Sequence, residues 1–223
     1  MPARSRDLEL GYLFVVTYGR SGSTLVAGLL NSLPGYLIRG ENRDALHHLF
    51  LFHHTMLTEK TRKPVKRLRM RTHPFFGIGD FPVQRSIAGI RRLALDTVLR
   101  PKPDTRVTGF KEIRWNHRDL DEYVAWLREV FPGALFLVNT RNHADVLKSG
   151  WWAKGDPDQN ARNLDSVERR ILALADSLGD AAYRIHYDDY VADPTVLAGM
   201  FEWLGEPFDE DAVRATMAIR HSV

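Results

Sequence analysis

Thr17-Tyr18-Gly19-Arg20-Ser21-Gly22-Ser23-Thr24 follows the apolar run Tyr12-Leu13-Phe14-Val15-Val16 and leads into Leu25-Val26-Ala27-Gly28-Leu29-Leu30. A buried strand that passes through a Gly/Ser-rich turn into a helix builds an anion cradle. The turn presents consecutive backbone N–H groups, and the helix N-terminus adds partial positive charge. Glycine lets the backbone approach a ligand closely, and Ser21, Ser23 and Thr24 offer hydroxyl donors. Arg20 adds a planar guanidinium whose fork suits phosphate or sulfate. The plain alternative is a capped helix after an ordinary turn, but such turns rarely combine an arginine, glycines and three hydroxyls. A nucleotide triphosphatase loop is excluded: Thr17 stands where the first glycine would be, and Ser23 follows Gly22 where a lysine is required. No G-x-G-x-x-G dinucleotide pattern occurs in the chain.

The segment Arg20-Ser21-Gly22-Ser23-Thr24 resembles the loop with which sulfotransferases hold the 5′-phosphate of 3′-phosphoadenosine-5′-phosphosulfate (PAPS). A second stretch is similar to the same family. Leu135-Phe136-Leu137-Val138-Asn139-Thr140 reads as a buried strand, followed by Arg141-Asn142-His143 and by Ser149, eight residues after Arg141. The resemblance implies that Arg141 and Ser149 grip the 3′-phosphate. His143 replaces the usual proline, at a position that shapes the turn. Gly109-Phe110-Lys111-Glu112 resembles a Gly-x-Lys-Glu segment of bacterial members. Tyr187-Asp188-Asp189-Tyr190, Asp193-Pro194 and Phe201-Glu202-Trp203-Leu204-Gly205 resemble the family's C-terminal stretch. Three departures stand beside these matches. Leu25 replaces a tryptophan that stacks on adenine in the cytosolic eukaryotic branch. Arg220-His221-Ser222-Val223 lacks that branch's Arg-Lys-Gly segment. Ile113 stands where the histidine base of a Lys-x-His pair would be.

The resemblance implies a PAPS-dependent transfer to a small-molecule hydroxyl acceptor, a carbohydrate or other small alcohol, without a metal. The cofactor-binding set is then Arg20, Ser21, Gly22, Ser23, Thr24, Arg141 and Ser149. Arg20 is expected to neutralise the leaving 5′-phosphate and Lys111 to reach the sulfuryl oxygens; a structural salt bridge is the alternative for Lys111. Glu41 resembles the catalytic glutamate of trehalose-type bacterial sulfotransferases and is the expected base, its alternative being a carboxylate favoured at a helix start. Glu112 and His73 are reserve bases. His73, Glu112 and Trp151 are the expected acceptor-side residues, His73 within the aromatic loop Thr72-His73-Pro74-Phe75-Phe76. Asp188 and Asp189 read as structural, and Tyr187 as packing beside the cofactor or as plain core. His47, His48, His53 and His54 fall in pairs along one helix, but without evident carboxylate partners they read as helix-face residues, not metal ligands.

Strands alternating with helices predict α/β architecture, a three-layer α/β/α fold with a mostly parallel sheet and a P-loop-like first turn. Strands are expected at 12–17, 106–113, 134–140 and 183–187. Helices are expected at 24–33, from Glu41-Asn42 to about Met56, and at 83–99, 117–131, 144–152, 160–178, 194–204 and 209–219, with 57–80 as loop. Both phosphate loops then lie at the carboxyl edge of the sheet and face one crevice.

The 223 residues suit one domain spanning 1–223, and 44% apolar with 26% charged residues is a globular composition. The chain has no cysteine, so disulfides and thiolate metal sites are excluded. Met1-Pro2-Ala3-Arg4-Ser5-Arg6-Asp7 carries no signal-peptide-like apolar stretch, and no apolar run nears membrane-spanning length, which predicts a cytoplasmic protein. A homodimer is compatible with this composition. Net charge is +3, and much of the basic charge lies between Lys60 and Arg71. That run lacks the interleaved aromatics of nucleic-acid binders, so it reads as a solvated loop or as a flap that attracts an anionic ligand. Two competing functions remain: a nucleotide-dependent kinase, and a non-catalytic nucleotide- or polyanion-binding module on the same fold.

Overall fold

A computed structural model describes residues 10–62 and 64–219. Met1–Asp7, Lys63 and Arg220–Val223, weighed above from sequence, lie outside the described residues. In chain order the elements are β1 (Gly11–Val16), α1 (Ser23–Asn31), β2 (Tyr36–Arg39), α2 (Ala45–Thr61), α3 (Val65–Leu68) and α4 (Val83–Ala94). Then follow β3 (Val107–Glu112), α5 (Leu120–Val130), β4 (Leu135–Thr140), α6 (His143–Leu147) and α7 (Pro157–Leu178). β5 (Ala182–His186), α8 (Tyr187–Ala192), α9 (Ala198–Leu204) and α10 (Glu210–Met217) complete the order.

The five strands form one parallel sheet in the order β2-β3-β1-β4-β5. β1 is central, and its alternating side chains feed both faces. Tyr12, Phe14 and Val16 join Phe136 and Val138 under α2, α4, α5 and α7, while Leu13 and Val15 join Leu137 under α1, α9 and α10. Such two-sided burial is why β1 and β4 read as continuous apolar runs. The chain moves outward from β1 to β2, returns to β3, then crosses to β4, so the connections part at the carboxyl ends of β1 and β4. That divergence opens a crevice there.

Several boundaries differ from the sequence-based expectations. Tyr36–Arg39 was not expected as a strand. It is a four-residue edge strand, too short to show a pattern, held by parallel pairing to β3 and by the Arg39 guanidinium on the carbonyls of Leu99 and Arg100. α2 begins at Ala45, not Glu41, because Arg43 and Asp44 both adopt positive φ. It runs on to Thr61, and α3 with a 3-10 turn at Ile78–Asp80 occupies the stretch expected to be loop. The expected helix at 83–99 changes to a π turn at Leu95–Leu99 before Arg100 (φ 48) ends it. The expected helix at 144–152 stops at Leu147: Ser149 is extended and Gly150 has φ 59. α7 starts three residues early, at Pro157, where the Asp156 carboxylate accepts the amides of Asp158 and Gln159.

Candidate active site

The β1–α1 loop is braced from beneath by buried polar groups. The Thr17 hydroxyl lies 2.7 Å from the Asn139 carbonyl and 2.6 Å from the Ser21 hydroxyl. Donating to the carbonyl leaves Thr17 to accept from Ser21. The Asn139 amide donates to the Ser21 carbonyl at 2.9 Å, and the Tyr190 hydroxyl donates to the Asn139 side-chain oxygen at 3.2 Å. Ser21 is therefore buried and turned inward, so its hydroxyl shapes the loop. Gly22 has φ 81, and a Cβ there would lie 2.0 Å from the Tyr187 ring. Glycine is required twice over, by the left-handed backbone and by the ring. A Cβ on Gly19 would likewise lie 2.1 Å from the Trp151 indole. α1 has no side-chain cap; the Leu25 amide bonds the Gly22 carbonyl at 2.9 Å, while Ser23 and Thr24 at its first turn line the cavity.

The β4–α6 loop closes on the first. The Arg141 Nη1 donates to the Arg20 carbonyl at 3.1 Å, and its guanidinium lies 4.3 Å above the Tyr187 ring. Its Nε is buried with no hydrogen-bond partner among the described residues. A buried cationic donor left open in this way is a place an anion fits. The Arg20 Nε donates to the Ser149 hydroxyl at 2.7 Å, so the two expected phosphate subsites share a contact. Beneath them, the Tyr18 hydroxyl donates to Glu168 at 2.5 Å and accepts the Arg141 amide at 2.8 Å. Burial, and after it the Glu168 carboxylate, push the Tyr18 phenol far above its ordinary pKa, so it stays a neutral donor. His143 lies 3.1 Å from the same Glu168.

These loops bound a cavity of about 380 Å³. Arg20, Gly22, Ser23, Thr24, Arg141 and Tyr187 line its anion side. Glu41 and Lys111 face them, with the Lys111 ammonium 2.5 Å from the Glu41 carboxylate. Lys111 is 7% exposed, whereas Glu41 opens to solvent. Trp151 is half exposed at the rim, while Trp152 packs on the core and donates to the Gly19 carbonyl at 3.0 Å.

Two expected acceptor-side residues lie elsewhere. Glu112 is 3% exposed, and its carboxylate receives the amides of Asn42, Asp44 and Ile113 at 3.1, 3.4 and 2.8 Å. It braces the loop that carries Glu41. His73 does not line the cavity; its Nδ1 accepts the Phe75 amide at 3.1 Å within the 64–80 segment. Ile113, Met217 and Leu25 are cavity residues that the sequence reading did not assign to the site, and Tyr187, read there either as packing beside the cofactor or as plain core, also lines the cavity.

For His47 of α2, a carboxylate partner that was not evident in sequence comes from the segment before α5, and a second pair joins His117 of that segment to Asp44, just ahead of α2. His47 Nε2 lies 3.0 Å from Asp119, and His117 Nε2 lies 3.2 Å from Asp44. Burial lowers the His117 pKa, and the adjacent His47 lowers it further against the pull of Asp44. Burial works to raise the Asp119 carboxyl, but the hydrogen bond and charge of His47 lead the opposing contributions, and the net shift is below the usual carboxylate range.

A parallel sheet with two arginine-bearing loops converging on a cavity at its carboxyl edge defines the α/β class of this protein. The sulfotransferase family profile matches residues 13–210, and the chain belongs to that family. Solved structures share the fold. One is the sulfotransferase domain of the Synechococcus PCC 7002 olefin synthase, at 19% identity and TM-score 0.55, covering 96% of this chain and 79% of that one. Another is the sulfotransferase domain from the curacin biosynthetic pathway, at 14% identity and TM-score 0.57, covering 95% and 79%. No curated protein matches the chain. Among the described residues, no helix is long and apolar enough to cross a membrane.

Proposed function

We propose that the chain moves the sulfuryl group of PAPS to the hydroxyl of a small-molecule acceptor. One observation carries the reading. Arg20 and Arg141, the latter with a buried unpartnered Nε, face the same cavity as the Glu41–Lys111 pair. Arg141 and Ser149 would hold the 3′-phosphate. Arg20, the α1 amides, Ser23 and Thr24 would hold the 5′-phosphate.

Sulfuryl transfer needs placement and charge more than covalent help. The acceptor oxygen bonds to sulfur as the bond from sulfur to the bridging oxygen breaks. That electron pair stays on the 5′-phosphate, where Arg20 offsets its charge. Glu41 takes the acceptor's proton. For this, Lys111 must shift its hydrogen bond from Glu41 to the sulfuryl oxygens, which frees the carboxylate as the donor nucleotide binds. No step requires a metal.

Calorimetric titration with PAP, the desulfated nucleotide, against AMP tests the two phosphate subsites. Much tighter PAP binding without added metal is expected, and labelled PAPS then screens acceptors. Equal, weak binding of both nucleotides would remove the reading.

A further inference from the structure

Glu41 is carried by a strained turn. Arg43 and Asp44, which follow it, have φ 54 and 63. Left-handed backbone costs a non-glycine residue about 1–3 kcal/mol and persists where neighbours over-determine it. The neighbours here come chiefly from the end of β3 and the segment that follows it. Glu112 accepts the Asn42 and Asp44 amides. The Asp44 carboxylate faces His117 at 3.2 Å and Arg114 at 3.9 Å. The His117 ring stacks on His47, with centroids 3.6 Å apart and planes 7° from parallel, and the edge of Tyr123 closes the stack. Arg170, from α7, holds the carbonyls of Asn116 and His117.

Donor atoms of His47, His117 and Asp119 lie within 4.8 Å of one another, a spread that a metal ion could span. The ring geometry argues for another use. Lone pairs of parallel stacked imidazoles run side by side and do not converge on one point, and each Nε2 already faces its own carboxylate. A neutral His117 that donates to Asp44 satisfies both groups and fastens the left-handed turn.

We propose that His117, acting through Asp44 and backed by the His47 stack, is a positioning residue that aims Glu41 into the cavity. This rests on the reading of Glu41 as the base. His117 touches no part of the cavity itself.

The test compares His117→Ala, His117→Gln and Glu41→Gln with the double variant His117→Ala/Glu41→Gln in the full chain. Backbone hydrogen exchange over 40–46 should quicken in His117→Ala. Turnover should fall about 10- to 100-fold, the scale of a misplaced reacting group, with PAP affinity unchanged. Gln presents an amide N–H near the Nε2 position, so His117→Gln should recover most of the loss. In the double variant, turnover should fall no further than in Glu41→Gln. Unchanged exchange, unchanged turnover or multiplying losses would overturn the proposal. If Glu41→Gln alone leaves turnover intact, the base reading fails separately, and the exchange arm alone decides whether His117 holds the turn.

Discussion

The two sides of the cavity are both built on left-handed backbone, but different forces hold them. On the anion side, positive φ falls on Arg20 and Gly22, and the brace is mostly a buried set of neutral groups, Thr17, Ser21, Asn139, Tyr190 and Tyr18, with the Glu168 carboxylate behind Tyr18. On the Glu41 side, positive φ falls on Arg43 and Asp44, and the brace is ionisable: Glu112, His117, His47 and Asp119. The first rests between the central strands β1 and β4. The second leans on the four-residue edge strand β2. A brace made mostly of neutral groups keeps its hydrogen bonds as pH changes, whereas the turn opposite can respond to protonation.

Four experiments would break or sharpen that contrast. Glu41→Gln should lower kcat by about 100-fold or more, the usual scale for a lost general base, while PAP affinity is retained. Steady-state kinetics with labelled PAPS would read this, and parallel loss of both quantities would make Glu41 a binding residue. Arg141→Ala should weaken PAP binding by about 1.5–3 kcal/mol, the range for hydrogen bonds to charged groups, or about 10- to 150-fold. Adenosine-5′-phosphosulfate, which lacks the 3′-phosphate, should lose much less by calorimetry; equal losses would remove Arg141 from the 3′ subsite.

Gly22→Ala should lower the melting temperature and PAP affinity together, because the new methyl meets both φ 81 and the Tyr187 ring. Gly40→Ala, with open space around its Cβ, should leave both near wild type, and a Gly22→Ala protein as stable as Gly40→Ala would contradict the packing described.

The smallest effect concerns pH. His117 has a lowered pKa in the fold, so the native state excludes a proton that the unfolded chain accepts. No penalty exists above the ordinary imidazole value of about 6.5, and one grows as pH falls below it. The depressed pKa of Asp119 acts in the same direction at lower pH, since its stabilisation is lost as the carboxylate is protonated. Melting curves from pH 8 down to 5 should therefore decline below about 6.5, and less so in His117→Gln. Exchange in the β1–α1 loop should follow pH less than exchange over 40–46; identical dependence would erase the distinction between the two sides.

The amino-acid sequence determined the parts whose signal is local. Two-sided apolar runs marked β1 and β4, and the Arg-Ser-Gly-Ser-Thr turn and the Arg141-to-Ser149 spacing marked two loops at strand ends. Parallel topology then had to bring them to one edge. Only the tertiary structure decided what those residues do with their side chains. Ser21 turned inward because Asn139 and Thr17 lie beneath it. Glu112 was spent on backbone amides. His47 and His117 found each other, and their carboxylates, across about 70 positions of chain. The strand at Tyr36–Arg39 and the turn at Arg43-Asp44 were hidden for the same reason. A short edge strand is too brief to show a pattern and a left-handed turn at Arg43-Asp44 runs against local preference, and both exist because contacts from elsewhere in the chain hold them.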